Sequence, residues 1–401
     1  MPAFHQELIY RAKLALKGRV FAKPQPKPLL FSGPGSSRSL CRTIAEFGLR
    51  NILVVTDKPL VELGIPSSTI EALNALGVAT TVYDGVEPDP TKQVVDAGIA
   101  LLKQSGCDSV LAFGGGSSID AAKVIALGAA NNCTAEECMG FKQCDLPSLP
   151  FFAIPTTAGT GSEGTFIAVI SDNETHAKGG VVDPCLIPRA AALDPELMTG
   201  LPPHITAATG MDALTHAIES YIGNWGTPET RFYGLAAINL IFNHLAEACK
   251  NGNNLEAREA MAQASYYGGL AITNAMVGYV HAVSHNLGGK YGLPHGLGNA
   301  IVLPHVMTLM KEAACTPLSE IAVHVGLGAK GEPQAALAQK LIDRVVALNE
   351  EIGIPTTTDV IKSEDIEELA DVMLAEGSGY PTPRFLERDE CVNLLKSIQA
   401  A

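Results

Sequence analysis

Four short strand-like runs, the first three each followed by a helix-like stretch, fill the first half of this chain and constrain its fold more than any other feature. NILVVTD (Asn51–Asp57), VATTVYDGV (Val78–Val86), SVLAFGGGSS (Ser109–Ser118) and PFFAIPTTAGTGSE (Pro150–Glu163) read as strands. The segment running to Gly77, then TKQVVDAGIALLKQSG and SIDAAKVIALGAA, read as the helices that follow the first three. Strands that stay apolar along their length, separated by helices, imply a parallel sheet with helices on both faces. Beyond Asp194-Pro195 the pattern changes to long helical stretches, Ala207–Ile222, Pro228–Asn251, Asn254–Thr273 and a further series towards the C-terminus. The expected fold is an α/β domain over 29–196 and an all-helical domain over 197–401. Pro195, Pro202 and Pro203 mark the junction, and 1–28 form an N-terminal extension with a Pro-rich lead-in.

Composition removes several classes of function. A formal charge of −14 argues against a nucleic-acid surface, which needs a basic stripe. No apolar run approaches the ~20 residues that span a bilayer. Charges run through the first 28 residues without an apolar core, so no secretory signal is expected and the cytoplasm is the expected location. Nine cysteines, an odd number without a regular framework, suit free thiols in a reducing compartment. Cys133, Cys138 and Cys144 come closest to a cluster, but no CxxC pair occurs and they read as helix and loop thiols.

The chain has ten histidines, and four of them, His281, His285, His295 and His305, fall within the segment 279–306. Upstream, Asp212 and His216 in TGMDALTHAIESY are four apart, as are His281 and His285, so each pair projects from one helix face. Gly288, Gly289, Gly292 and Pro294 are expected to break the second helix and turn the chain back to bring in His295. A lone buried histidine is usually a hydrogen-bonded core residue, but two such pairs plus a PHG turn point to a metal centre. Imidazoles with one carboxylate suit iron or zinc. The HExxH protease pattern is absent, and His305 in LPHV reads as structural.

GGGSSIDAAK (Gly114–Lys123) follows a strand and opens a helix, where backbone N–H groups and the helix dipole favour a phosphate. It fits neither GxGxxG nor the P-loop, so it is either a phosphate turn or a tight connection. TTAGTGSE (Thr156–Glu163) either lines a nucleotide or caps a helix. Asp57, at a strand end, either accepts a ribose diol, favouring NAD over NADP, or is a cap.

With these motifs in view, and in this order, the chain resembles the iron-containing (group III) alcohol dehydrogenase family from about Leu30 to Arg384. GGGSSIDAAK, PTTAGTGSE, DPELMTGLPP, GMDALTHAIESY and HAVSHNLGGKYGLPHG carry the resemblance. It implies a dehydroquinate synthase-like architecture, with an N-terminal dinucleotide-binding α/β domain and an all-α C-terminal domain. It places the metal ligands on Asp212, His216, His281 and His295, and a non-ligand histidine that relays a proton on His285. Cofactor contacts fall on Asp57, Asp89, Gly114, Gly115, Gly116, Ser117, Thr156, Thr157, Thr160 and Lys178. Departures from the family pattern are Asp89 in Pro88-Asp89-Pro90-Thr91, where members often carry asparagine, and Thr382 in Thr382-Pro383-Arg384. Ile167 stands where diol-oxidising members carry asparagine, which suits a more apolar alcohol.

The implied activity is hydride transfer between NAD(H) and an alcohol/aldehyde pair, with Fe²⁺, or Zn²⁺, as Lewis acid. A primary alcohol is the expected substrate and a homodimer or higher homo-oligomer the expected assembly, with no nucleic-acid or membrane partner. A hydroxyacid–oxoacid transhydrogenase would use the same ligands with tightly held NAD. A glycerol-dehydrogenase-like polyol enzyme typically uses one aspartate and two histidines, so four matching ligands favour the iron branch. A silent scaffold would not need these ligands, and a metallohydrolase would leave the glycine turn unexplained.

Overall fold

The computed structural model describes residues 4–174 and 177–400. Among the described residues there are nine strands: β1 (Leu29–Ser32), β2 (Asn51–Val55), β3 (Ala79–Tyr83), β4 (Ser109–Gly114), β5 (Gly140–Phe141), β6 (Phe151–Pro155), β7 (Ile167–Ser171), β8 (Lys178–Val182) and β9 (Ala190–Leu193). The helices of the first half are α1 (Phe4–Phe21), α2 (Ser36–Glu46), α3 (Lys58–Glu62), α4 (Ser67–Ala75), α5 (Lys92–Ser105), α6 (Gly116–Asn131) and α7 (Ala135–Cys138). Those of the second half are α8 (Pro203–Ile222), α9 (Pro228–Lys250), α10 (Leu255–Ala275), α11 (Tyr279–Tyr291), α12 (His295–Met310), α13 (Cys315–His324), α14 (Gln334–Glu351), α15 (Ile366–Gly377) and α16 (Arg388–Ile398).

Two compact units result. One comprises residues 25–201 with 252–269, and the other 1–24, 202–251 and 270–401. In the first, six strands form a parallel sheet in the order β1-β9-β6-β4-β2-β3. Its central strands are apolar on both faces because both faces are covered. Leu53, Val55, Val110, Ala112 and Phe151 pack with Val95, Ile99 and Leu102 of α5 and Ile119 and Val124 of α6. The alternate residues Ile52, Val54, Leu111, Phe113 and Phe152 pack with Leu40 and Ile44 of α2 and Leu73 of α4. A second, three-stranded sheet, order β5-β8-β7, contains an antiparallel β7–β8 pair that the strand–helix alternation did not announce. Residues 252–269 join this unit through Arg258, whose guanidinium donates to the carbonyls of Gly252 and Leu201, and through Ser265, whose Oγ accepts the Gly161 N–H.

The other unit is helical in its regular structure, apart from an isolated bridge between Thr358 and Gln399. α8 is buried nearly all round from Thr206 to Ile222, as expected of a helix surrounded by others. It starts at Pro203, four residues before the sequence pattern suggests, because proline is well placed at a first helical turn. α1 packs here too. Phe21 stacks on Trp225 at 5.3 Å, Tyr10 meets Phe385 edge-on, and Asn274 donates to the carbonyls of Phe21 and Lys23. A Cβ on Gly18 would lie 2.8 Å from the Trp225 indole nitrogen. Gly18→Val should therefore displace the ring, and since the chain has one tryptophan, intrinsic emission should shift to the red. An unchanged spectrum would place Trp225 elsewhere. No helix among the described residues is long and apolar enough to cross a membrane.

Candidate active site

α8 presents Asp212, His216 and Glu219 on one face, at steps of four and three residues. α11 contributes His281 and His285, and α12 opens at His295. The chain reverses at Gly292, which has a left-handed φ of 70°, and at Pro294, while Gly288 and Gly289 stay helical. Two further glycines let the first turn of α12 approach its neighbours. A Cβ on Gly296 would lie 2.4 Å from the Ala208 carbonyl oxygen of α8, and one on Gly298 2.6 Å from Ser284 Oγ of α11.

That close approach gathers three imidazoles around one buried carboxylate. The Nε2 atoms of His216, His281 and His295 lie 3.7, 3.8 and 3.5 Å from Asp212 Oδ1. Asp212, His216 and His281 are all buried, and each offers a donor atom within 4.8 Å of the others. His295 is more open, with its side chain 27% exposed. His281 Nδ1 is 2.6 Å from Glu219 Oε2, and Glu219 also accepts the N–H groups of Gly278 and Val280 at 2.8 Å. Burial pushes the Glu219 carboxyl up, while these N–H groups, which only donate, favour its ionised, accepting form. A proton held on His281 Nδ1 by this carboxylate puts the lone pair on Nε2, the atom that faces Asp212 Oδ1.

Whether these residues suit a cation can be judged from their hydrogen bonds. Asn299 Nδ2 reaches Asp212 Oδ1 at 2.7 Å, His295 Nε2 at 3.2 Å and His281 Nε2 at 3.3 Å. One amide has two N–H groups for these three atoms, so the pocket holds more lone pairs than protein donors. His216 Nδ1 and Asn299 Oδ1 are buried without a hydrogen-bond partner. Metal–ligand bonds of 2.0–2.2 Å put tetrahedral donor atoms roughly 3.3–3.6 Å apart, close to the separations found. The residues therefore fit a divalent metal, and imidazole with carboxylate accommodates Fe²⁺ or Zn²⁺.

His285 stands beside this group, its ring stacked on His295 at a centroid distance of 5.2 Å, with Nδ1 2.7 Å from Glu376 Oε1. His305 lies apart from it on α12, with Nδ1 3.4 Å from Ser397 Oγ.

The remaining sequence-marked residues belong to the α/β unit. β2 and β4 are neighbours whose onward connections leave in opposite directions, to β3 and to β6. Open α/β sheets bind ligands at such a switch, outside the carboxyl ends of the strands. Asp57 follows β2 and caps α3, accepting the Leu60 N–H at 3.0 Å, and burial pushes its carboxyl up. Gly114 ends β4, and Gly115, Gly116 and Ser117 open α6, which has no side-chain cap. Asp57 Oδ2 lies 3.6 Å from where a Gly114 Cβ would stand. The Thr156 N–H donates to the Gly114 carbonyl at 3.0 Å. A Cβ on Gly116 would lie 2.5 Å from Thr160 Cγ2, and one on Gly115 3.4 Å from Thr157 Oγ1, so glycine turn and threonine loop face each other. Asp89 and Lys178 are brought together as an ion pair at 2.6 Å. Among the described contacts, neither is bonded to the glycine turn.

Four residues essential to these arrangements escaped the sequence reading: Glu219, Asn299, Glu376 and Lys123. Glu219 lies seven after Asp212 and Asn299 four after His295, helical spacings that could have marked both. Lys123, fully buried on α6, donates from Nζ to Ser162 Oγ at 2.7 Å, Thr165 Oγ1 at 2.8 Å and the Ile167 carbonyl at 2.7 Å. It ties the threonine loop to the helix that opens at the glycine turn. Burial lowers its pKa to about 8, while Asp120 and Glu163 oppose the shift.

Glu163 is buried in the same place, and burial pushes its carboxyl from 4.5 to about 7 despite its own backbone N–H and Lys123. The folded state thus binds the Glu163 proton more tightly than the unfolded chain does. Its contribution to stability is fully present below about pH 4.5 and is lost as pH rises through about 7. The difference is of the order of 3 kcal/mol. Glu163→Gln should flatten the fall in unfolding free energy between those pH values, as measured by urea titration. A variant whose pH dependence equals that of the parent would remove Glu163 as the source.

A glycine turn and threonine loop at a strand switch, together with a pocket whose residues fit a divalent metal, are the features expected of a metal-dependent dehydrogenase. Comparison with known proteins makes the assignment particular. Residues 27–195 match the family profile "Iron-containing alcohol dehydrogenase", and residues 206–399 match "Fe-containing alcohol dehydrogenase family, C-terminal". Alcohol dehydrogenase 4 of Schizosaccharomyces pombe is 38% identical over 369 residues, spanning 91% of this chain and 86% of that protein. NAD-dependent methanol dehydrogenase of Bacillus methanolicus is 36% identical over 372 residues, 92% and 98% of the two chains. A crystal structure of 1,3-propanediol oxidoreductase matches with a TM-score of 0.89 at 36% identity, covering 93% of this chain and 99% of that one. The chain belongs to the iron-containing alcohol dehydrogenase family and is an NAD-dependent, metal-using alcohol dehydrogenase.

Proposed function

We propose that this enzyme interconverts small primary alcohols and their aldehydes at a ferrous centre held by Asp212, His216, His281 and His295. The observation that carries the reading is the convergence of three Nε2 atoms on one buried Asp212 oxygen, 3.5–3.8 Å away. When bound, the metal supplies Lewis acidity towards the alcohol oxygen. Glu219 keeps the His281 Nε2 lone pair directed at the pocket by holding Nδ1, the usual role of an outer carboxylate. The open α6 N-terminus and Gly114–Ser117 would take the cofactor pyrophosphate, with Thr156, Thr157 and Thr160 beside it. Asp57 would accept the ribose diol and repel a 2′-phosphate, favouring NAD over NADP, with Asp89 and Lys178 as outer contacts.

The substrate carbon gives up a hydride to the nicotinamide and its hydroxyl gives up a proton, so that RCH₂OH and NAD⁺ become RCHO, NADH and H⁺. His285 receives that proton at Nε2 and passes it to solvent. Ile167, on β7, replaces the asparagine of diol-oxidising members and favours an apolar substrate chain. The test is NADH formation at 340 nm by Fe²⁺- and Zn²⁺-reconstituted protein with C2–C6 primary alcohols and 1,2-propanediol. Greater efficiency with the diol than with 1-propanol, or with Zn²⁺ than with Fe²⁺, would reject the corresponding part of the reading.

A further inference from the structure

Glu376, on α15, carries no motif in the sequence, yet three hydrogen bonds converge on its carboxylate. Oε1 lies 2.7 Å from His285 Nδ1 and accepts the Tyr380 hydroxyl at 2.8 Å, while Oε2 accepts the Asn286 amide at 2.8 Å. A carboxylate only accepts, so the imidazole proton sits on Nδ1 and the lone pair on Nε2. The orientation of Asn286 is fixed independently, because the same Nδ2 donates to the Ala282 carbonyl at 2.7 Å. Its amide therefore presents N–H groups, never oxygen, to Glu376. The carboxylate is thus held by Asn286 and Tyr380 so that its remaining acceptor capacity faces His285. The His285 and Glu376 side chains are 19% and 28% exposed, which leaves solvent near the pair to take up a proton.

We propose that Glu376 is a positioning residue for catalysis: it fixes the His285 tautomer whose Nε2 can receive the substrate proton. This rests on the reading that His285 relays that proton. Glu376 touches neither substrate nor cofactor in this account, and acts only through the imidazole.

The bonding pattern makes Glu376→Gln a test of the tautomer rather than of packing. The Gln oxygen must face the fixed Asn286 donor, so its NH₂ group faces His285 Nδ1 and Tyr380. Tyr380 can accept from it, and His285 must then accept at Nδ1 and carry its proton on Nε2, the wrong tautomer for receiving one. Glu376→Asp retains acceptors only and should keep the parent tautomer. Metal-loaded parent, E376Q, E376D and H285N are to be compared for kcat, KM, metal content and solvent deuterium isotope effect. ¹⁵N-histidine spectra of the diamagnetic zinc forms read the tautomer directly.

E376Q should lower kcat roughly 100-fold and raise the solvent isotope effect, with KM for NAD⁺ and alcohol within about twofold of the parent. Metal content should be unchanged, the His285 signal should move from the Nδ1–H to the Nε2–H pattern, and E376D should recover most of the loss. H285N that is impaired alongside E376Q of near-parental kcat, or an unmoved tautomer signal in E376Q, would overturn the role of Glu376 alone. H285N with parental turnover would overturn the proton-relay reading itself and this proposal with it.

Discussion

His281→Ala is expected to yield a folded protein that retains no stoichiometric metal and has lost at least roughly 1,000-fold in kcat, because Lewis-acid stabilisation worth several kcal/mol disappears. The loss follows from the position of His281. Its Nε2 faces Asp212 Oδ1 at 3.8 Å, and its Nδ1 occupies Glu219 at 2.6 Å. Truncation therefore removes a donor from the pocket and leaves the buried Glu219 without its imidazole partner, though still accepting the Gly278 and Val280 N–H groups. Glu219→Gln is the milder companion: the ligand set is intact and only the hold on its Nδ1 is weakened. An outer-carboxylate change of this kind typically costs about 10–100-fold in metal affinity or activity. Metal analysis after gel filtration, alongside steady-state rates, separates the two. H281A protein that keeps both its metal and its turnover would place the centre elsewhere.

Gly161→Ala should destabilise the α/β unit by about 2–5 kcal/mol and weaken NAD binding at the same time. Gly161 has φ of 59°, and a Cβ there would lie 2.2 Å from the Ser265 carbonyl oxygen and 2.7 Å from the Gly269 nitrogen. Those are backbone atoms of α10, which cannot rotate aside as a side chain can, so loop and helix must separate. The same loop carries Thr156, Thr157 and Thr160, which is why cofactor affinity should fall with stability. Gly200→Ala, which meets nothing within 4 Å, is the matched control and should be near neutral. Urea unfolding and NAD⁺ titration of both variants read the difference. Equal stability in the two would mean that Gly161 and Gly269 do not touch.

The central strands were readable in the sequence because both their faces are buried, which makes NILVV, SVLAF and FFAIP continuous apolar runs. β9, AAAL, was not. Alanine has little intrinsic preference for strands, and this segment is extended because β1 and β6 pair with it on either side. β8, KGGVV, was hidden by its glycines, one of which, Gly179, lies against the Met139 methyl group. In the helical unit, spacing of four residues was enough to single out Asp212, His216, His281 and His285, since helical neighbours are local in sequence. The glycines at 288 and 289 misled: both stay within α11, and the chain breaks only where Gly292 takes a left-handed φ. Glu376 lies more than ninety residues from His285, and no local pattern could have joined them.

Metal dependence is decided by an anaerobic titration of metal-stripped protein with Fe²⁺, in the presence of NAD⁺ and a primary alcohol, following absorbance at 340 nm. No NADH should form without metal, and the rate should rise with added Fe²⁺ until each chain holds an ion. NADH formed at the same rate by metal-free protein would contradict that dependence.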